Sequence, residues 1–130
     1  MSFTTEIDGH KIEIDAKPES GGRDKGPRPK PLILAALGGC TGMDVAGILK
    51  KMRVELDTLN VKVDGELTEE QPKHYFQVLV TYELTGKDIN IDKVKNAVSL
   101  SEEKYCGVSF MLKQALKLSS KIIINGDIVE

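Results

Sequence analysis

The sequence predicts an α+β fold, a mostly antiparallel sheet accompanied by one long helix. Three observations lead there. Residues 56–67 and 76–84 alternate apolar and polar side chains with period two, as half-buried strands do. A polar turn around Gln71-Pro72-Lys73 joins those two runs and makes them an antiparallel pair. The stretch from Leu32 to Arg53 repeats apolar side chains at helical spacing. The 130 residues suit a single domain spanning 1–130, with one core and no internal repeat.

Taken in order, residues 3–15 read as a hairpin. Asp8-Gly9 is a turn dipeptide between short alternating runs, with Ile12 and Ile14 on one face. Residues 16–30 form a loop rich in Lys, Arg, Gly and Pro, too polar for the core and expected to be solvated and mobile. Pro27, Pro29 and Pro31 forbid a helix before about Leu32. In the helix that follows, Ile33, Leu37, Cys40, Asp44 and Ile48 fall on one stripe. Gly38, Gly39, Gly42 and Gly47 are poor helix formers, each costing about 1 kcal/mol relative to alanine. Their number implies a close neighbour against the helix, expected to be another helix, from this chain or a second copy.

Leu59, Val61, Val63 and Leu67 form one face of the first sheet strand, and Phe76, Val78, Val80, Tyr82 and Leu84 one face of the second. Residues 91–104 read as a helix with Ile91, Val94, Val98 and Tyr105 inward. A break at Cys106-Gly107 precedes a further helix carrying Val108, Met111, Leu112, Ala115 and Leu116. Residues 121–129 close the chain as one strand, Ile122 and Ile124 sharing a face.

A formal net charge of −2 disfavours general nucleic-acid binding, which calls for a basic surface. Met1-Ser2-Phe3-Thr4 leads into alternating residues without the basic start and apolar run of a signal peptide. The longest uncharged stretch, Pro31 to Met43, falls short of the about 20 apolar residues a membrane span takes. A cytoplasmic protein with no membrane or nucleic-acid partner is therefore expected. In a reducing compartment a disulfide is more often transient than structural.

The chemistry rests on Cys40 and Cys106, the only cysteines. Each lies in an apolar, helix-like segment, and their separation matches no metal-ligand spacing. Two such thiols suffice for redox chemistry without a cofactor, one attacking and the other resolving. Either could equally be a space-filling buried residue. Asp44, one turn beyond Cys40, opposes a thiolate there, so a cation is required, and Arg23, Lys25, Arg28 and Lys30 in the preceding loop are available. Cys106 falls near a helix start, where negative charge is favoured. Other chemistries find little support. His10 and His74 have no zinc-protease spacing, and a cysteine hydrolase would need one of them to reach a sulfur. Gly21-Gly22-Arg23-Asp24-Lys25-Gly26 lacks the phosphate-loop pattern. Glu69-Glu70 and Glu102-Glu103 read as solvated faces.

The segment Pro29-Lys-Pro-Leu-Ile-Leu-Ala-Ala-Leu-Gly-Gly-Cys40, continuing Thr-Gly-Met-Asp-Val45, resembles the central helix of the OsmC/Ohr family. These are osmotically induced and organic-hydroperoxide-resistance proteins. Val98 to Leu112, with Tyr105-Cys106-Gly107-Val108-Ser109 at its centre, resembles that family's second-cysteine segment, especially in its OsmC-like redox-protein branch. The resemblance runs from about Ile7 onward. It implies an intertwined homodimer whose long helices are enclosed by sheets from both chains. It also implies reduction of organic hydroperoxides, with Cys40 peroxidatic, Cys106 resolving and an external dithiol as reductant. Arg23 and Arg28 are the candidate thiolate-stabilising cations. No cofactor and no metal are expected. The family's peroxidases carry a glutamate near the start of this helix, whereas Pro29-Lys30-Pro31 has no carboxylate, and Gly107 stands where a proline commonly follows the second cysteine. These differences frame an alternative: an inactive or weakly active dimer serving as a small-molecule binding or redox-sensing module.

Overall fold

A computed structural model describes residues 1–130, which form two compact units, Met1–Ala35 and Ala36–Glu130. In the first, β1 (Phe3–Ile7) and β2 (His10–Ile14) pair antiparallel from Phe3↔Ile14 to Ile7↔His10. The turn dipeptide Asp8-Gly9 has positive φ at both positions, 51° and 81°, as a two-residue hairpin loop requires. A single 3-10 turn, Pro18–Ser20, interrupts the following loop. That loop is tied down at Asp15, which is 2% exposed. Its carboxylate accepts the backbone N–H groups of Ala16, Arg23 and Lys25 at 2.8, 3.0 and 3.1 Å. Those bonds, the one from Arg23 foremost, hold the Asp15 carboxyl below the usual carboxylate range.

The long helix α1 spans Pro31–Lys51, with proline in its first turn and Lys50 and Lys51 in its last, both suited to their ends. Its buried stripe is Leu37, Thr41, Val45 and Leu49. The expected stripe is therefore rotated by about one residue: only Leu37 is shared, Cys40, Asp44 and Ile48 are half-buried, and Ile33 is 44% exposed. The glycines account for the rotation. A Cβ at Gly38 would lie 3.0 Å from Val63 Cγ2, and one at Gly42 3.3 Å from Val61 Cγ2. Within this chain the close neighbour of Gly38 and Gly42 is thus the sheet, while a Cβ at Gly39 or Gly47 would meet nothing of the chain within 4 Å.

The sheet contains β3 (Thr58–Leu67), β4 (Tyr75–Thr85), β5 (Lys117–Ile124) and β6 (Asp127–Val129), in that spatial order. β3 and β4 pair antiparallel, Val61 opposite Tyr82 and Val63 opposite Val80. An irregularity at Glu66/Leu67 turns Leu67 outward. β5 runs parallel to β4, a pairing that needs a crossover, and the helical segment 91–113 supplies it. The single strand expected over 121–129 is two strands. β5 starts earlier, at Lys117, and the chain reverses at Asn125-Gly126, whose φ values are 50° and 87°.

In the crossover, α2 (Ile91–Leu100) is capped by the Asn90 side chain, which accepts Lys93 N–H at 3.1 Å. It buries Val94, Ala97 and Val98, while Ile91 is exposed. The helix does not continue to 104 in α geometry. It widens into a π turn over Ser101–Tyr105, closed by Cys106 N–H to Ser101 C=O at 2.7 Å, which leaves Tyr105 exposed instead of inward. The last helix, α3 (Gly107–Lys113), buries Ser109, and Met111 points outward, contrary to expectation. The sheet pairings are mostly antiparallel, and the mixed α+β class stands.

Candidate active site at the cysteine pair

Cys40 sits half-buried on α1, on the turn between the buried Leu37 and Thr41. Cys106 is 3% exposed and caps α3, its Sγ accepting Ser109 N–H at 3.3 Å. The two sulfurs and a carboxylate oxygen of Asp44 all lie within 4.8 Å of one another. A disulfide needs about 2.0 Å, so the remaining gap is of the order a rotamer change covers.

The π turn brings Cys106 to this position because two of its residues are anchored. The Ser101 hydroxyl, fully buried, donates to Asp44 Oδ2 at 3.0 Å and ties the turn to α1. The Glu102 carboxylate accepts from the Tyr82 hydroxyl at 2.9 Å and from Ser120 at 3.1 Å, tying it to β4 and β5. Burial, with Glu102 beside it, holds the Tyr82 phenol well above its ordinary value, so it stays a donor. Glu102 is therefore a fixed structural acceptor rather than a solvated face, whereas Glu103 pairs with Lys113 at 3.3 Å near the surface.

Burial pushes the Cys40 thiol up from its ordinary value. Cys106 and the Asp44 carboxylate push the same way, against one backbone donor, the Val108 N–H. Of the two candidate cations, both in the N-terminal unit, Arg28 is engaged there: its guanidinium donates to Asp24 Oδ1 at 2.8 Å and to the Gly26 carbonyl at 2.9 Å. Arg23 is held through its backbone N–H on Asp15. His74 is exposed, with Nδ1 on the Pro72 carbonyl at 2.7 Å, and makes no bond to either sulfur.

Ser101 and Ser109 escape sequence reasoning, and one signal points to the former. Ser101 extends the stripe Val94, Ala97, Val98 by helical spacing, and a hydroxyl on a core stripe needs a buried partner.

The family model for OsmC-like proteins matches residues 22–121 of the chain. Protein YhfA of Escherichia coli K12 is 39% identical over 111 residues, 85% of this chain and 80% of that protein. A crystal structure of a hypothetical protein from Aquifex aeolicus aligns with a TM-score of 0.79 at 32% identity, over 95% of this chain and 89% of its own. An organic hydroperoxide resistance protein OsmC from Legionella pneumophila shares the fold, with a TM-score of 0.69 at 16% identity over 95% of each chain. The family match covers the helix that carries Cys40 and the crossover that carries Cys106, and with the YhfA identity it shows that this chain belongs to the OsmC-like protein family.

Proposed function

We propose that the protein reduces organic hydroperoxides through a dithiol–disulfide cycle between Cys40 and Cys106. The observation that carries this reading is the approach of two sulfurs remote in sequence to within 4.8 Å. Cys40 is the more accessible of the two and takes the attacking role. Its thiolate attacks the distal peroxide oxygen, the O–O bond breaks, and the alkoxide leaves to be protonated as the alcohol. The resulting sulfenic acid condenses with the Cys106 thiol, releasing water and forming the disulfide. An external dithiol then reduces the disulfide by two thiol exchanges. The exposed rings of Tyr105 and Phe110 line the concave surface at Cys106 and favour an apolar organic group over hydrogen peroxide. A homodimer in a reducing cytoplasm is the setting of this cycle.

Peroxide consumption with an excess of dithiol tests it. Cys40→Ser is expected to abolish turnover. Without dithiol, Cys106→Ser should consume about one equivalent of peroxide and stop at a trappable sulfenic acid. Equal turnover by wild type and Cys40→Ser removes the proposal. The elevated Cys40 thiol favours a second reading, a redox-sensing or small-molecule binding module of the same fold. In that case peroxide forms the disulfide no faster than it oxidises a free cysteine, and turnover is absent.

A further inference from the structure

We propose that the reduced protein holds a zinc ion on Cys40, Asp44 and Cys106. Spacing along the chain gives no hint of such a site, because one ligand pair is an i,i+4 step on α1 and the third ligand arrives through the crossover. The fold brings the three donor atoms within 4.8 Å of one another. The edges of a tetrahedron with two thiolates and a carboxylate about zinc measure about 3.5–3.8 Å, from Zn–S near 2.3 Å and Zn–O near 2.0 Å. The donors thus need only a small contraction.

Two of the ligands, Asp44 and Cys106, also have an orienting partner of the kind metal sites use. Ser101, fully buried, donates to Asp44 Oδ2 at 3.0 Å. Its position on the core stripe gives it no other side-chain partner. Ser109 N–H donates to Cys106 Sγ at 3.3 Å. The two bonds come from either side of Cys106, the π turn and the first turn of α3, so one short segment orients both the carboxylate and the second sulfur.

The donor chemistry selects the metal. Two thiolates disfavour magnesium and calcium, and a carboxylate disfavours cuprous copper. Zinc accepts sulfur and oxygen together without a geometric demand of its own. Two sulfurs and a carboxylate drawn together gain from a divalent cation among them, and binding displaces the two thiol protons. Three protein ligands leave a fourth position for water or a small anion.

Metal and disulfide compete for the same sulfurs. Where the hydroperoxide reading of this site holds, one hydroperoxide and two protons convert the two zinc-bound thiolates into a disulfide, an alcohol, water and free zinc. Only this release step rests on that reading; binding rests on the geometry.

The test uses untagged full-length protein, reduced with a phosphine and kept anaerobic, titrated with Co²⁺ and then Zn²⁺. The expected result is one Co²⁺ per chain with thiolate-to-cobalt charge-transfer absorption, bleached by one equivalent of zinc. Cys40→Ser and Cys106→Ser should each lose most of that absorption. Asp44→Asn should weaken binding at least about tenfold with an unchanged circular dichroism spectrum, and Ser101→Ala by about 10–100-fold. The disulfide form should not bind. A reduced wild type without the charge-transfer band overturns the proposal, and so does equal affinity in Asp44→Asn, or tight zinc binding by the disulfide form. The two readings fail separately, because cobalt binding is read without peroxide and turnover is read in the presence of a chelator.

Discussion

At the scale of single residues, burial raises the Cys40 thiol, and the placement of Asp44 adds to that. The Ser101 hydroxyl fixes its carboxylate one helical turn beyond Cys40, beside both sulfurs. In metal-free protein this negative charge works together with burial to keep the Cys40 proton on. A thiol raised above its ordinary value supplies less thiolate at neutral pH. Its alkylation should therefore be slower at pH 7 than that of a free cysteine, and should still be climbing at alkaline pH where a free thiol has levelled off. Removing the charge lowers the thiol, so Asp44→Asn should react faster with iodoacetamide than wild type at pH 7, both measured in chelator. An Asp44→Asn rate at or below that of wild type would show that the carboxylate does not act on the sulfur. Both cysteines and the opposing role of Asp44 are legible in the sequence as residue types at defined spacing. Ser109 is not, because a serine in a helix is usually solvated, and Ser101 shows only as a hydroxyl that continues the stripe Val94, Ala97, Val98.

At the scale of elements, the seam between α1 and β3 decides where Cys40 points. Gly38 and Gly42 admit Val63 and Val61, and the helix turns its Leu37–Thr41–Val45–Leu49 stripe inward as a result. Cys40 is left half-buried at the edge of the seam, its sulfur within 4.8 Å of that of Cys106. Alanine at Gly38 gains about 1 kcal/mol of helix propensity. It also sets a Cβ 3.0 Å from a β-branched side chain with one preferred rotamer, and overpacking of this kind costs about 1–3 kcal/mol. Gly47 has nothing within 4 Å, so alanine there takes the propensity gain alone. Urea unfolding should find Gly38→Ala less stable than Gly47→Ala by about 1–3 kcal/mol. Equal midpoints would mean that the seam is looser than this geometry. β3, β4 and their antiparallel pairing followed from period-two alternation, which a half-buried sheet enforces strongly. The stripe on α1 did not, because an apolar helix with four glycines offers several faces of similar hydrophobicity, and the choice among them is made by contact with β3. The Asn125-Gly126 reversal was present in the sequence as a turn dipeptide but lay inside a run of β-branched residues that reads as one strand.

At the scale of the whole molecule, a large apolar surface remains uncovered. α1 is long and apolar enough by length and composition to cross a membrane, yet only 22% of its most apolar window is buried. Met43 on that helix is 79% exposed, and Phe110 and Met111 on α3 are 68% and 63% exposed. Surface of this kind on a single chain marks an interface. The buried stripe of α1, packed on β3 through Gly38 and Gly42, identifies it as a core helix with one face still to be covered rather than a lipid-facing span, whose buried side would carry no sheet. A second copy of the chain is the partner that the family resemblance implies, and a twofold pairing is the commonest closed arrangement for such a surface. Sedimentation should then give twice the 14.3 kDa chain mass. Met43→Glu, which puts a charge on the most exposed apolar position of α1, should shift the protein toward the monomer and lower its thermal midpoint, since an unpaired charge in an interface core is costly. A wild type that sediments at the single-chain mass at millimolar concentration, or a Met43→Glu variant that stays fully dimeric, would move the dimer away from this helix. In the first case the apolar face of α1 would need another cover, and the proposed approach of hydroperoxide to Cys40 would change along with it.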